Sequence, residues 1–137
     1  MGIHKTSAWL IAFLMVVAVP CMSKDSPHAT LSLIRILSDP FRFDGKIVET
    51  VGFLSLEFEG SAIYLSKEDY ENHITWNAIF LRLDEPKINE YRFAEHKYVK
   101  IRGMYAAGFQ SPSYSGSLRN TTLLRVISDP KKPAGLE

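Results

Sequence analysis

The stretch 44-DGKIVETVGFLSLEFEG-60 decides the fold. It opens on a turn pair, Asp44-Gly45. It then runs through Ile47, Val48, Thr50, Val51, Phe53 and Leu54, residue types that favour extended chain. Successive side chains of a strand face opposite ways. Ile47, Glu49, Val51 and Phe53 therefore share one face, and Val48, Thr50, Gly52, Leu54 and Leu56 the other. Both faces are partly apolar, and a glycine interrupts the run. A sharply coiled barrel requires such a strand, because glycine permits a bulge or tight bend where one strand serves two sheets. Gly52 is therefore expected at the barrel corner. In the closing letters, Phe58 is expected to anchor the first inter-strand turn, with Glu57 and Glu59 on the opposite side of the chain.

The segments around this strand fit the same architecture. In 31-LSLIRILSDPFRFDGK-46, the spacings Leu33 to Ile36 and Leu33 to Leu37 predict a short helix. It should stop at Asp39, because Pro40 disfavours helical geometry in the residue before it. Further strands are predicted at 61-SAIYLS-66, 78-AIFLRL-83, 97-KYVKIRGMYAAG-108 and 117-SLRNTTLLRVI-127. Gly103 interrupts the fourth strand as Gly52 interrupts the first. The segment 67-KEDYENHITWN-77 suits one or two helical turns, and a short helix is expected around Asn89 to Glu95. Five strands with a glycine-bent first member predict an all-β fold, a five-stranded OB-fold-like Greek-key barrel with short helices, over residues 31–127.

A resemblance points the same way. "FRFDGKIVETVGFL" resembles the opening of bacterial OB-fold domains of the tRNA-anticodon-like type, with an aromatic before the strand, Gly-Lys, alternating valines and a glycine. "YSGSLRNTTLL" is similar to their closing strand, and "GFLSLEFEGSAIYLSKEDYE" resembles a string shared by a group of uncharacterised exported bacterial proteins. The resemblance spans Leu33 to Ile127 and implies the fold. It implies no single activity, since OB-fold relatives bind nucleic acid, sugars or proteins.

The chain has 137 residues, one domain's worth. Residues 1–23 combine Lys5 with an apolar run from Ala8 to Val19 and a breaker at Pro20. The run is too short to cross a ~30 Å hydrocarbon core comfortably as a helix. It reads as a signal peptide cleaved after Ser23, leaving no transmembrane segment in the mature chain and placing it in the periplasm or medium. Retention as an anchor is the alternative, and lipidation at Cys21 is a lesser one, because Pro20 stands where that processing favours a small residue. Residues 24–30 read as a linker and 128–137 as a disordered tail. Cys21 is the only cysteine, so neither a disulfide framework nor a cysteine metal site is expected. The formal charge is +1, and loss of Lys5 brings it to zero. Neutrality argues against nucleic acid, whose affinity for proteins comes largely from clustered cations.

Candidate functional residues fall in three groups. Tyr64, Trp76, Phe109 and Tyr114 are candidate ligand contacts, by analogy with OB-folds that bind on strands two and three and the adjoining loops. For Tyr64, as for Phe80, filling the barrel is the simpler account; Trp76, Phe109 and Tyr114 lie in loops. Glu57, Glu59 and His73 are the set for a metal-dependent hydrolase, against which solvated glutamates at a loop start are the plainer reading. Tyr98, Lys100, Arg102 and Tyr105 interleave aromatic with basic groups, the pattern for single-stranded nucleic acid. No serine lies in a nucleophile elbow. The leading expectation is a non-enzymatic module, without cofactor or metal, that recognises an unknown protein, peptide or glycan.

Overall fold

A computed structural model describes residues 28–57, 60–108 and 113–127. The expected signal peptide, the first part of the linker, the tail, Phe58, Glu59 and Phe109 lie outside the described residues. The described chain begins with strand β1, Thr30–Ser32, which runs directly into helix α1, Leu33–Ser38. Ser32 caps that helix by accepting a hydrogen bond from Arg35 N at 3.3 Å. Leu33 and Ile36, at the spacing seen in the sequence, are its buried residues. The helix ends before Pro40, which starts the single-turn helix α2, Pro40–Phe43. Gly45 then takes φ +71°, the left-handed conformation that the Asp-Gly turn requires.

Strand β2, Ile47–Ser55, organises the sheet. Along one edge, Ile47 to Phe53 pair antiparallel with β5, Tyr98–Ala106. Along the other edge, Glu49 to Val51 pair with β1, and Phe53 to Ser55 pair with β3, Ala62–Tyr64. Gly52 stands where that edge changes partners. A β-carbon there would lie 2.5 Å from Tyr64 O and 2.7 Å from Ile63 Cγ1, so only glycine lets β3 approach. Strand β4, Ala78–Leu81, pairs with β3 and runs parallel to β6, Ser117–Ile127, which returns to β5. The circuit β2-β3-β4-β6-β5 closes on β2, giving a five-stranded OB-fold-like barrel.

Two boundaries differ from the sequence reading. Thr30, assigned to the linker, joins Leu31 and Ser32 in β1 instead, a sixth strand outside the barrel and parallel to β2. β3 covers β2 only from Phe53 onward, leaving backbone groups at Glu49 to Val51 for β1 to pair. The β3–β4 connection carries helix α3, Lys67–Glu71, and the β4–β5 connection carries α4, Glu85–Tyr91, followed by a 3-10 turn at Arg92–Ala94. α4 starts earlier than expected because Asp84 accepts from Lys87 N at 3.1 Å and Pro86 falls in the first turn.

The barrel interior is aliphatic. Val48, Leu54, Ile63, Ile79, Leu81, Val99, Ile101 and Leu118 join Tyr105, Leu33 and Ile36 in one buried cluster. Each such side chain stabilises by about 1.5–3 kcal/mol on burial. Tyr91 of α4 enters the same cluster, and its hydroxyl donates to Thr121 O at 2.8 Å and accepts from Leu123 N at 3.1 Å. This fastens α4 to β6 beside the irregular β5–β6 register near Arg102 and Met104.

Candidate functional site

The parity that sends Ile63, Ile79 and Leu81 inward sends Tyr64 and Phe80 outward. The barrel-filling account of these two aromatics is therefore overturned: Tyr64 belongs to a second cluster with Phe53, Ala62 and Ala78 on the outer surface. Registers align these outer residues in two cross-strand rows. One row is Phe53, Tyr64 and Ala78; the other is Ser55, Ala62, Phe80 and Ser117.

Helix α3 and the loops close over this face. Ser66 caps α3, accepting from Asp69 N at 3.0 Å and donating to Asp69 Oδ2 at 2.9 Å. Asn77 Nδ2 donates to Asp69 Oδ1 at 3.0 Å, tying the 3-10 turn Thr75–Asn77 to the helix. The arrangement lays Tyr70 on the outer cluster, with ring centroids 5.5 Å from both Phe53 and Tyr64. The Tyr70 hydroxyl and His96 Nε2 are 3.0 Å apart, and the His96 ring lies parallel to Phe53 at 6.2 Å. Tyr98 completes the cluster at 5.5 Å from Phe53, its hydroxyl accepting from Lys67 N at 3.2 Å.

Of the candidate contacts, Trp76 stands out, with 66% of its surface exposed. Its main chain is nonetheless fixed, because Ser115 Oγ donates to Trp76 O at 2.6 Å. Ser115 N also donates to Ala78 O at 3.2 Å, and Phe80 N to Gly116 O at 3.0 Å. These bonds hold the β5–β6 loop against the start of β4. They bring Tyr114, half-buried, to a ring distance of 5.5 Å from Phe80. Tyr64 lies behind this edge at only 5% exposure, a wall rather than a free contact. The loop candidate Tyr114 thus meets Phe80, which sequence reasoning assigned to the core, while the Trp76 main chain is held by Ser115 beside it. The alternation of Phe80 against Ile79 and Leu81 was the available signal.

Electrostatics mark one end of the face. Burial pushes the Tyr64 hydroxyl pKa up, and the Tyr114 hydroxyl and the Glu57 carboxylate push it further. Burial and Glu57 raise Tyr70 in the same way. Glu57 is exposed, and His73 is exposed in the turn after α3 at φ 54°. Among the described residues no group of three His, Cys, Asp or Glu side chains could hold a metal ion.

The basic residues of β5 serve another partner. Glu49 is 3% exposed on the outer surface of β2, where Lys100 Nζ lies 2.9 Å away and Arg102 donates through Nε at 2.9 Å and also through its guanidinium NH2. These bonds hold the Glu49 carboxyl below its usual range, against the opposing cost of burial. Tyr105 points into the barrel core. The aromatic-basic interleaving of β5 is thus split between an ion cluster outside and packing inside.

Among the described residues no helix is long and apolar enough to cross a membrane. The chain matches no protein-family model and no curated protein.

Proposed function

We propose that the chain is an exported binding module, acting in the periplasm or medium, that recognises a protein, peptide or glycan through its barrel loops without catalysing a reaction. Kinship with the exported bacterial proteins that share the GFLSLEFEG string belongs to this reading. The observation that supports it best is Trp76: a large aromatic side chain, mostly exposed, on a backbone held by Ser115 of the β5–β6 loop. Exposed, pre-positioned tryptophan suits recognition because it offers contact area at low conformational cost. The engagement of Lys100 and Arg102 by Glu49 weighs against nucleic acid, since those cations are already paired.

The chain has two tryptophans, Trp9 and Trp76, and removal of residues 1–23 leaves Trp76 alone. Tryptophan fluorescence of the processed protein therefore reports this one site. Titration with fractionated envelope proteins and glycans should shift or quench the emission, and Trp76→Ala should weaken the same interaction at least tenfold by a label-free method. Binding that survives the substitution unchanged refutes Trp76 as the contact.

A further inference from the structure

Among the described residues six large apolar side chains are exposed, and three of them fall within one short segment. Ile34, Phe41 and Ile47, at 60%, 79% and 50% exposure, belong to α1, α2 and the start of β2. These elements sit together, since α1 packs on both α2 and β2. Leu33 and Ile36 of α1 and Phe43 of α2 turn into the barrel core, which leaves Ile34 and Phe41 facing out. The turn after α2 is tied to the end of β5: Gly45 N donates to Tyr105 O at 2.9 Å, and Ala107 N to Asp44 Oδ1 at 3.0 Å. Ile47 follows on the outer surface of β2, in a cross-strand row with Met104 and Arg119. The three apolar groups therefore share the end of the barrel where β2 begins and β5 ends.

Cations accompany them. Arg35, Arg42, Lys46 and Arg119 are exposed, and among the described residues none of the four forms an ion pair. The segment carries two carboxylates, Asp39 and Asp44, and Asp44 is already bonded to Ala107 N. Elsewhere the balance reverses, for residues 57–95 hold nine acidic side chains against four lysines and arginines. A nearly neutral protein thus has one end that is both cationic and apolar. Clustered exposed apolar groups mark interaction sites. Interleaved with cations, they have the composition of surfaces that rest on anionic lipid.

We propose that this end of the barrel docks on an anionic lipid bilayer. Phe41, Ile34 and Ile47 enter the headgroup boundary, and the four cations meet lipid phosphates. Two observations select a bilayer over another macromolecule. Phe41 is a protruding ring rather than the wall of a groove; a fluid headgroup layer yields around it, whereas a rigid partner needs a matching pocket. The chain also enters the barrel here. The apolar run Ala8 to Val19 precedes α1 closely in sequence, so export through a membrane, or retention of the run in one, delivers this end to a lipid surface. None of these residues belongs to the set around Trp76, so the docking is independent of the proposed recognition function.

Amide exchange, read by mass spectrometry on peptides across residues 34–47, tests the docking in the full chain and the processed one alike. The vesicles are phosphatidylcholine, alone or with about 30% phosphatidylglycerol. Exchange should slow at least about fivefold on the mixed vesicles and stay unchanged on phosphatidylcholine alone. Salt at about 0.5 M should reverse the slowing. Phe41→Ser should weaken docking about tenfold and Arg42→Gln roughly fivefold. Both positions are exposed, so neither substitution disturbs the core. Lys87→Gln removes a cation from the acidic elements and should dock like the wild type. The proposal is overturned by unslowed exchange on the mixed vesicles, by equal slowing on phosphatidylcholine alone, or by an equal loss in Lys87→Gln. Slowing that grows with protein concentration without lipid would assign the patch to a second copy of the chain and overturn it too. So would slowing by a poly-glutamate peptide or a DNA oligonucleotide but not by vesicles.

Discussion

The two faces of the same strands are built from different chemistry. The inner face of β2, β3, β4, β5 and β6 is almost wholly aliphatic, with Val48, Leu54, Ile63, Ile79, Leu81, Val99, Ile101 and Leu118. The outer face around Phe53 is aromatic, with Tyr64, Tyr70, Tyr98, Tyr114 and His96. Aliphatic groups pack without direction and ask for no partner, which suits a closed interior with no room for water. Tyrosines bring polar tips that need a partner. At the surface those tips become fasteners: Tyr98 accepts from the first residue of α3, and Tyr70 meets His96 in the turn before β5. The interior sets whether the barrel exists. The exterior sets how the loops that present Trp76 are held.

Substitutions can break this contrast in graded steps. Leu54→Ala removes an interior side chain and should cost about 2–5 kcal/mol, read from the urea midpoint. A loss below about 1 kcal/mol would mean that the interior is not the main source of stability. Gly52→Val disturbs both faces, because its β-carbon would press on Tyr64 O and Ile63. It should cost roughly 1–3 kcal/mol by overpacking, at the upper end because backbone yields poorly. An unchanged midpoint would remove Gly52 from the account of the barrel.

Acid should act on the exterior first. The Glu49 carboxyl is held below its ordinary value when folded, by Lys100 and then Arg102. A depressed folded pKa contributes stability that is complete above the unfolded value, near 4.5, and is lost as pH falls through the folded one. Urea midpoints measured from about pH 6 down to about pH 3 should therefore fall in the wild type. In Glu49→Gln, already weaker at neutral pH, they should fall less steeply. Equal slopes would show that the ion cluster is not coupled to folding.

Smaller effects separate fastening from recognition. Tyr70→Phe removes the hydroxyl facing His96 and should cost about 1 kcal/mol, with faster amide exchange in α3 as its signature. Trp76→Ala should change stability by no more than about 0.5 kcal/mol, because the side chain is mostly exposed. A large loss of stability there would mark Trp76 as part of the packing and would undercut its role as a contact.

Local pattern carried much of the fold. The alternation and glycines that define β2 and β5 were legible, as was the stop of α1 before Pro40, and β6 runs over the expected residues 117–127. The same alternation already placed Tyr105 inside with Val99 and Ile101, and Phe80 outside against Ile79, although a residue-type argument assigned them otherwise. β1 was not legible, because three residues show no period and their pairing depends on backbone that β3 leaves open on β2, at Glu49 to Val51. Of the site, the loop position of Trp76 and Tyr114 was visible, but the approach of Tyr114 to Phe80 was not.

The sequence by itself determined the strands and their alternation, because these follow from dihedral preference and a two-residue period. Only the tertiary structure decided what each outward side chain meets. Glu49 finds Lys100 and Arg102 on the strand opposite, Tyr114 settles across Ala62 and Ala78, and Ser55 and Ser117 become the buried ends of one row. Those neighbours are set by strand order and register, which join residues distant in the chain and leave no local period to read.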